Sequence, residues 1–232
     1  MLCRIRLRPA EDVLALPDGV SFSQAAALGV PYVTAHIALF TRGRAQAGET
    51  VFIHGASGAV GTAAIQLARR AGLRVIGSAG SEAGLALLSS ERVDLAVNHN
   101  EDGYLDQVRA ATAGNGPDLI LEMLADVNLA ADMQLAATFG RIVIIGCRSD
   151  VTVSPRVAMM KELDIAGTAV WNAPRDLVSA ALESISAGLA DGSLCPVVGA
   201  HFPLAEAAKA HLAVLSPGTR GKIVLTCEPD AD

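Results

Sequence analysis

The stretch that decides the fold is Val51-Phe52-Ile53-His54-Gly55-Ala56-Ser57-Gly58-Ala59-Val60-Gly61, an apolar run followed by three evenly spaced glycines. The run predicts a buried strand, and residues 58–71 predict a helix because apolar side chains recur along one face. Glycines allow a tight turn and let backbone N–H groups approach a pyrophosphate at the helix start. A plain glycine turn is the alternative, but the position between strand and helix favours a dinucleotide site.

Strand and helix patterns alternate on the C-terminal side of this loop. Further strands are predicted at residues 73–77, 94–97, 118–121, 141–145 and 164–170. Helices are predicted at residues 82–89, 102–113, 129–138 and 175–189. This regular alternation predicts an α/β fold, a doubly wound parallel Rossmann sheet of six strands.

The segments that flank this alternation follow other patterns. Ser21 or Ser23 is expected to cap a helix that begins near Gln24, and a second helix is expected at residues 33–41 after a break at residues 29–31. Towards the C-terminus we expect a strand, a helix and a terminal strand at residues 197–202, 204–215 and 222–225.

The composition is typical of a globular α/β protein. Hydrophobic residues make up 51% and charged residues 18%, which excludes a disordered chain. Aromatic residues are only 3%, so the core is expected to be aliphatic, as in a parallel sheet covered by helices. A net charge of -6 without a basic run gives no support to nucleic-acid binding. Neither a secretory signal nor a long apolar span is visible, so we expect a cytoplasmic protein.

The second strand of the repeating pattern bears on the choice of cofactor. NAD-preferring domains carry a carboxylate at its end, which binds the ribose 2′-hydroxyl. This sequence has Ser78 and Ala79 there, so a 2′-phosphate would meet no repulsion, and Ser78 and Ser81 could hydrogen-bond it. Glu82 argues mildly against this. The pattern therefore favours NADPH over NADH.

Several segments together carry a family resemblance. They are residues 54–61, Glu122-Met123-Leu124-Ala125, Ile144-Ile145-Gly146-Cys147-Arg148, Pro17-Asp18-Gly19-Val20 and residues 25–32. From about Pro17 to Leu225 the chain resembles the zeta-crystallin-like NADPH:quinone oxidoreductases, a branch of the medium-chain dehydrogenase/reductase superfamily. The resemblance implies a Rossmann domain that binds NADPH.

The resemblance also implies which residues contact the cofactor. Residues 57–60 match the pyrophosphate loop, His99 a position near the 2′-phosphate and adenine ribose, and residues 145–148 and 168–170 the nicotinamide side. The implied contacts are Ser57, Gly58, Ala59, Val60, Gly80, His99, Asn128, Ile145, Gly146, Cys147, Arg148, Thr168, Ala169 and Val170. Some relatives grip the 2′-phosphate with a lysine near the place of Gly84, which this sequence lacks. No catalytic residue is assigned.

Two further expectations concern metal and domains. Zinc-dependent relatives have a ligand cysteine where this chain has Val30, so the resemblance implies the zinc-free branch and no metal. The family's N-terminal GroES-like catalytic domain is represented here only by residues 1–22 and by a C-terminal return segment, residues 193–232. Between them, residues 23–192 form the NADPH-binding Rossmann domain. We therefore expect a chain that lacks most of the catalytic domain, with a cleft open on one side.

The implied activity is hydride transfer from NADPH to a quinone or a similar electron-poor acceptor, which the missing domain could impair. Two alternatives stay open: an alkenal or enoyl-thioester reductase, and a non-catalytic nucleotide- or RNA-binding protein. His54 is interpreted as a packing or backbone-bonding residue, and Arg148 as a cofactor contact or a solvated loop residue. Trp171 either packs or lies at a subunit interface, and a homodimer or higher oligomer is expected.

Overall fold

The computed structural model describes residues 15–216 and 218–227. Its centre is a six-stranded parallel sheet with the strand order β3-β2-β1-β4-β5-β6. The strands are β1 (Thr50–Ile53), β2 (Arg74–Ala79), β3 (Leu95–Asn98), β4 (Leu119–Glu122), β5 (Arg141–Ile144) and β6 (Asp164–Gly167). The predicted doubly wound parallel sheet is thereby confirmed, and the direction of winding reverses between β1 and β4.

Helices cover both faces of the sheet. They are α1 (Phe22–Ala26), α2 (Gly29–His36), α3 (Ala59–Arg70), α4 (Glu82–Ser90), α5 (Tyr104–Ala111), α6 (Ala125–Leu135), α7 (Pro155–Lys161), α8 (Arg175–Ala190) and α9 (Ala207–Leu215). A π-helix (Ile37–Arg42) continues α2, and 3₁₀ turns lie at Val170–Asn172 and Leu204–Glu206. Each strand sends alternate side chains to opposite faces, so Val51 and Ile53 join one core cluster while Phe52 joins the other.

Several element boundaries differ from those predicted. The break expected at residues 29–31 is wrong, because α2 begins at Gly29 and Pro31 lies in its first turn, where a missing N–H breaks no helical bond. Helix α7, which begins with Pro155, was not predicted. Helix α6 begins at Ala125, four residues before the predicted start at Leu129. The predicted cap at Ser21 is confirmed, and Gln24 completes a capping box with it.

The C-terminal segment forms a separate two-stranded parallel sheet from β7 (Val198–Pro203) and β8 (Lys222–Thr226). It contacts the phosphate-loop region through a bridge between Gly58 and Gly221. The assignment of residues 1–22 and 193–232 to a catalytic domain stays a prediction, and residues 1–14 and 228–232 lie outside the described part of the chain. Among the described helices none is long and apolar enough to cross a membrane.

Candidate functional site

The glycine loop between β1 and α3 leaves backbone donors free. Gly55 has a φ of 53°, which turns the chain sharply after the strand. Gly58 is the N-cap of α3 and supplies no side-chain cap. Within residues 15–216 and 218–227 no acceptor takes the N–H groups of Val60 or Gly61. These donors and the positive end of the helix dipole form a site for an anion.

The glycines of this loop serve different purposes. A Cβ on Gly61 would lie 2.5 Å from the Cα of Ala56, so this glycine permits the close approach of α3 to the loop. A Cβ on Gly58 would meet only the carbonyl oxygen of Gly55, at 3.3 Å. Gly61 is therefore required for packing, whereas Gly58 leaves space beside the free N–H groups.

A cleft of about 420 Å³ opens at the carboxyl ends of β5 and β6, and we call it the β5–β6 cleft. The predicted site residues in its wall are Ile145, Gly146, Cys147, Thr168 and Ala169. Gly146 passes so close to the β4 end that a Cβ would lie 2.2 Å from the carbonyl oxygen of Met123. Arg42, which the sequence analysis did not single out, also lines this cleft.

A second cleft, of about 370 Å³, opens on the other side of the loop, and we call it the β4 cleft. It brings the predicted residues His99 and Asn128 together, beside His54, Tyr104 and Leu124. The β4 cleft lies at the carboxyl ends of β1 and β4, where the winding of the sheet reverses and where open α/β sheets bind ligands, and the β5–β6 cleft lies farther along the same edge.

The environment of His99 corrects one expectation. Ser78 is completely buried, so it cannot contact a phosphate as predicted; its Oγ accepts the N–H of Gly55 at 3.3 Å and lies 3.3 Å from Nδ1 of His99. Burial lowers the pKa of His99, and nearby His54 adds to this effect, so the ring is neutral at pH 7.

The remaining predicted residues lie outside the two clefts. Ser57 is partly exposed in the loop and Gly80 is exposed at the end of β2, where a Cβ would lie 2.4 Å from Nε2 of His99. Arg148 is exposed, and its backbone N–H donates to Asp126 at 3.0 Å. Val170 opens a 3₁₀ turn and packs against the core. Their roles as cofactor contacts stay predictions.

A buried polar cluster beneath the β4 cleft was missed by the sequence analysis. Nε2 of His54 lies 2.8 Å from Oδ1 of Asp132 and 3.4 Å from Oε2 of Glu122. Burial raises the pKa of Glu122 to about 7 and that of Asp132 to about 6, while it lowers the pKa of His54. The sequence analysis interpreted His54 as a packing or backbone-bonding residue. In the structure its buried side chain also hydrogen-bonds Asp132.

The sheet, the free donors of the loop and the paired clefts define a Rossmann-type domain. The zinc-binding dehydrogenase family matches residues 59–187. The rat quinone oxidoreductase is 41% identical over 90% of this chain and 64% of its own length. The Thermus thermophilus quinone oxidoreductase, solved also with NADPH, is 35% identical with a TM-score of 0.84, over 94% of this chain and 71% of that one. The CurK enoyl reductase is 26% identical with a TM-score of 0.83, over 92% and 65%.

The chain therefore belongs to the zinc-binding dehydrogenase family, in the zeta-crystallin-like branch of the medium-chain dehydrogenase/reductases. It spans 64% of the length of the rat relative.

The family description raises the question of zinc. Val30, 55% exposed near the start of α2, has no ligand atom. In the described part of the chain, three residues of metal-binding type meet only at His54, Glu122 and Asp132. Tetrahedral zinc about 2.0–2.1 Å from each ligand holds ligand atoms about 3.3 Å apart. The 2.8 Å between His54 and Asp132 is instead a hydrogen bond, so these residues as placed do not fit zinc.

Proposed function

We propose that this chain is the cofactor-binding part of an NADPH-dependent oxidoreductase that transfers hydride to a quinone or a similar electron-poor acceptor. The observation that carries the proposal is the pair of free N–H groups at Val60 and Gly61, which lies at the switch point of the sheet, with both clefts at the same edge of the sheet. A pyrophosphate on these donors would direct the two halves of a dinucleotide into opposite clefts.

The two clefts suit the two halves differently. In the β5–β6 cleft, Gly146 brings the backbone close, and Ile145 and Thr168 offer an apolar wall beside a hydroxyl, which suits the nicotinamide ring and its carboxamide. The β4 cleft contains His99 and Asn128, which suit the adenosine half. The family resemblance likewise assigns residues 145–148 and 168–170 to the nicotinamide side and His99 to the adenosine side, and placing Asn128 with the adenosine half is our proposal.

A preference for NADPH over NADH rests on the end of β2. No carboxylate follows this strand until Glu82, the first residue of α4, so the Ala79–Ser81 segment does not repel a 2′-phosphate. In the tautomer that carries its hydrogen on Nε2, His99 would donate to the 2′-phosphate or the ribose. The Thermus relative, whose complex contains NADPH, supports the same choice.

NADPH, when bound, supplies the hydride. The chain contributes orientation of the ring in the β5–β6 cleft and exclusion of water from one of its faces. Cys147 is not required as an acid, because the reduced quinone oxygen can take a proton from water. Its Sγ lies 3.1 Å from the carbonyl oxygen of Ser149, with no base beside it among the described residues.

An enoyl-thioester or alkenal reductase is the second candidate, and the similarity to the CurK enoyl reductase favours it. NADPH oxidation should be measured with 1,4-naphthoquinone and with a 2-alkenal as acceptors, using NADPH deuterated at C4. Faster oxidation with the quinone supports the proposal. Deuterium recovered at the β-carbon of a reduced alkenal, without quinone turnover, supports the second candidate. Binding of NADPH without turnover of either acceptor contradicts both.

We also propose a homodimer formed through the edge strand β6. In the described part of the chain no strand pairs with its outer side, and the nearby side chain of Trp171 is 82% exposed. Other exposed apolar side chains in the adjoining segments are Phe139, Met159, Met160 and Ile165. An unpaired edge with apolar neighbours is typical of a surface that a second copy covers. The cytoplasmic location stays a prediction.

A further inference from the structure

The buried cluster of His54, Glu122 and Asp132 joins three elements directly beneath the β4 cleft. His54 follows β1, Glu122 ends β4 and Asp132 lies in α6. All three side chains are buried, and one ligand-type atom from each lies within 4.8 Å of the others. Buried carboxyl groups without a lysine or arginine partner are costly, so their hydrogen bonds must be accounted for.

Two carboxyl oxygens of the cluster accept no hydrogen bond from a described residue. Oε1 of Glu122 accepts the backbone N–H of Leu124 and, at 3.2 Å, Nδ2 of Asn128. Oδ1 of Asp132 lies 2.8 Å from Nε2 of His54. Among the described residues, Oε2 of Glu122 and Oδ2 of Asp132 have no hydrogen-bond partner. A proton held between the two carboxyl groups would satisfy both oxygens with one hydrogen bond and halve the buried charge.

We propose that Glu122 and Asp132 share one proton, and that this acid pair positions Asn128 and the turn after β4 to bind the adenosine half of NADPH. The claim that the acid pair positions Asn128 for NADPH rests on the proposed function, whereas the claim that the pair shares a proton does not. Glu122 engages the amide nitrogen of Asn128, which leaves its Oδ1 as an acceptor. Asn128 would then accept from a ligand donor, such as a ribose hydroxyl or the adenine amino group.

In the part of the chain that the structure describes, no lysine or arginine faces the pair when its proton is lost. The titratable groups around it are His54, His99 after β3 and Tyr104 on α5. Burial lowers the pKa of both histidines and raises that of Tyr104, so all three are neutral near pH 7. A second negative charge would therefore be uncompensated and would disturb the turn that Glu122 holds.

The direction of the pH effect follows from the raised pKa values. Desolvation, followed by the hydrogen bond to Asp132, raises the pKa of Glu122 from 4.5 to about 7 in the folded chain. The folded chain thus keeps a proton that the unfolded chain has released. The stabilisation is present at low pH and is lost as the pH rises through about 7.

The first test is unfolding of the full chain without cofactor, followed from about pH 5.5 to 8.5, for wild type and two variants of Glu122. Glu122→Gln keeps the acceptor for Leu124 and Asn128 and donates permanently to Asp132. Glu122→Leu keeps neither. Glu183→Gln, an exposed change on α8, is the matched control. We expect the Tm of wild type and control to fall as the pH rises from about 5.5 to about 7 and to level off above it, a nearly flat profile for Gln, and a low Tm throughout for Leu.

A fall with pH in Glu122→Gln equal to that of wild type would overturn the shared proton. So would a rise in the Tm of wild type, but not of Glu122→Gln, on addition of ZnCl₂, because the cluster would then hold a metal in place of the proton.

The second test is NADPH titration of the same proteins near pH 6 and pH 8. We expect the Kd of wild type to rise about three- to tenfold more than that of Glu122→Gln, because the 2′-phosphate titrates equally in both. Glu122→Leu should bind weakly at both pH values. Equal pH dependence in wild type and Gln overturns the positioning role. Failure of every protein to bind NADPH overturns the proposed function with it, while the unfolding profile still decides the shared proton.

Discussion

Gly221 donates its backbone N–H to the carbonyl oxygen of Ser57 at 2.8 Å, which fastens the start of β8 to the phosphate loop. Gly221 has a φ of 53°, and a Cβ on it would lie 2.5 Å from the carbonyl oxygen of Val197. The C-terminal sheet therefore holds the loop from outside the Rossmann sheet, and the free N–H groups of α3 depend on a contact far away in the sequence.

We predict that Gly221→Ala weakens NADPH binding and lowers the free energy of unfolding by about 1–3 kcal/mol, because the left-handed backbone and the contact with Val197 are both strained. Gly192→Ala is the matched control, since Gly192 also has a positive φ, of 73°, and a Cβ on it would have nothing within 4 Å. Chemical denaturation and NADPH titration measure both effects. Equal NADPH affinities for the two variants would show that the contact with Ser57 does not hold the loop.

We predict that Gly61→Ala destabilises the fold by roughly 1–3 kcal/mol, because the new Cβ would overlap the backbone of Ala56. Gly29→Ala is the control, since both glycines lie in the first turn of a helix and a Cβ on Gly29 would have nothing within 4 Å. Denaturant unfolding of both variants checks this. A Gly61→Ala protein as stable as Gly29→Ala would mean that α3 does not need its close approach to the loop.

Much of the Rossmann sheet could be predicted because its strands are aliphatic runs that end near glycine or polar residues. The glycine loop could be predicted because three glycines spaced three residues apart, between a strand and a helix, are typical of a turn that binds a pyrophosphate. Helix α7 was missed because Pro155 was not considered as the first residue of a helix, a position that proline favours.

The buried cluster could not be found by the patterns used. A carboxylate in a sequence is ordinarily interpreted as solvated, and Asp132 is far from His54 along the chain. One signal was available: Glu122 directly follows the apolar run Leu119-Ile120-Leu121, where a charged residue would have to be buried with the strand. For Ser78 the prediction was wrong in the opposite direction. Its place at the end of β2 suggested an exposed ligand contact, but the fold buries it completely.

We predict that Gln66→Leu costs about 2–4 kcal/mol of stability. Gln66 accepts from the Tyr32 hydroxyl at 2.6 Å and from the Cys195 N–H at 2.9 Å, and it donates to the Cys195 carbonyl at 2.8 Å. Leucine fills similar space but leaves the buried Tyr32 hydroxyl and the backbone groups of Cys195 without these partners. Gln107→Leu, on the exposed side of α5, is the control. Equal unfolding free energies for the two variants would contradict this role in joining residue 195 to α3.

We predict that wild type sediments as a dimer and that Trp171→Glu sediments as a monomer, because a charge at the β6 edge would be buried without a partner in the dimer. Leu212→Glu is the control, since Leu212 is exposed on α9, away from that edge. Analytical ultracentrifugation measures the mass. A wild-type monomer, or a Trp171→Glu dimer, would contradict an interface at this edge.

The central claim, that the free N–H groups at the start of α3 bind the pyrophosphate of NADPH, is tested most directly by fluorescence titration of wild type and Gly58→Val. The Cβ of the valine would meet only the Gly55 carbonyl oxygen, at 3.3 Å, so we expect a small shift of the loop and a folded protein in which the side chain fills the space beside the donors. With Gly29→Val as control, we predict a loss of affinity of roughly 100-fold, or about 2.7 kcal/mol, in Gly58→Val alone. An unchanged Kd in a folded Gly58→Val protein would contradict the account.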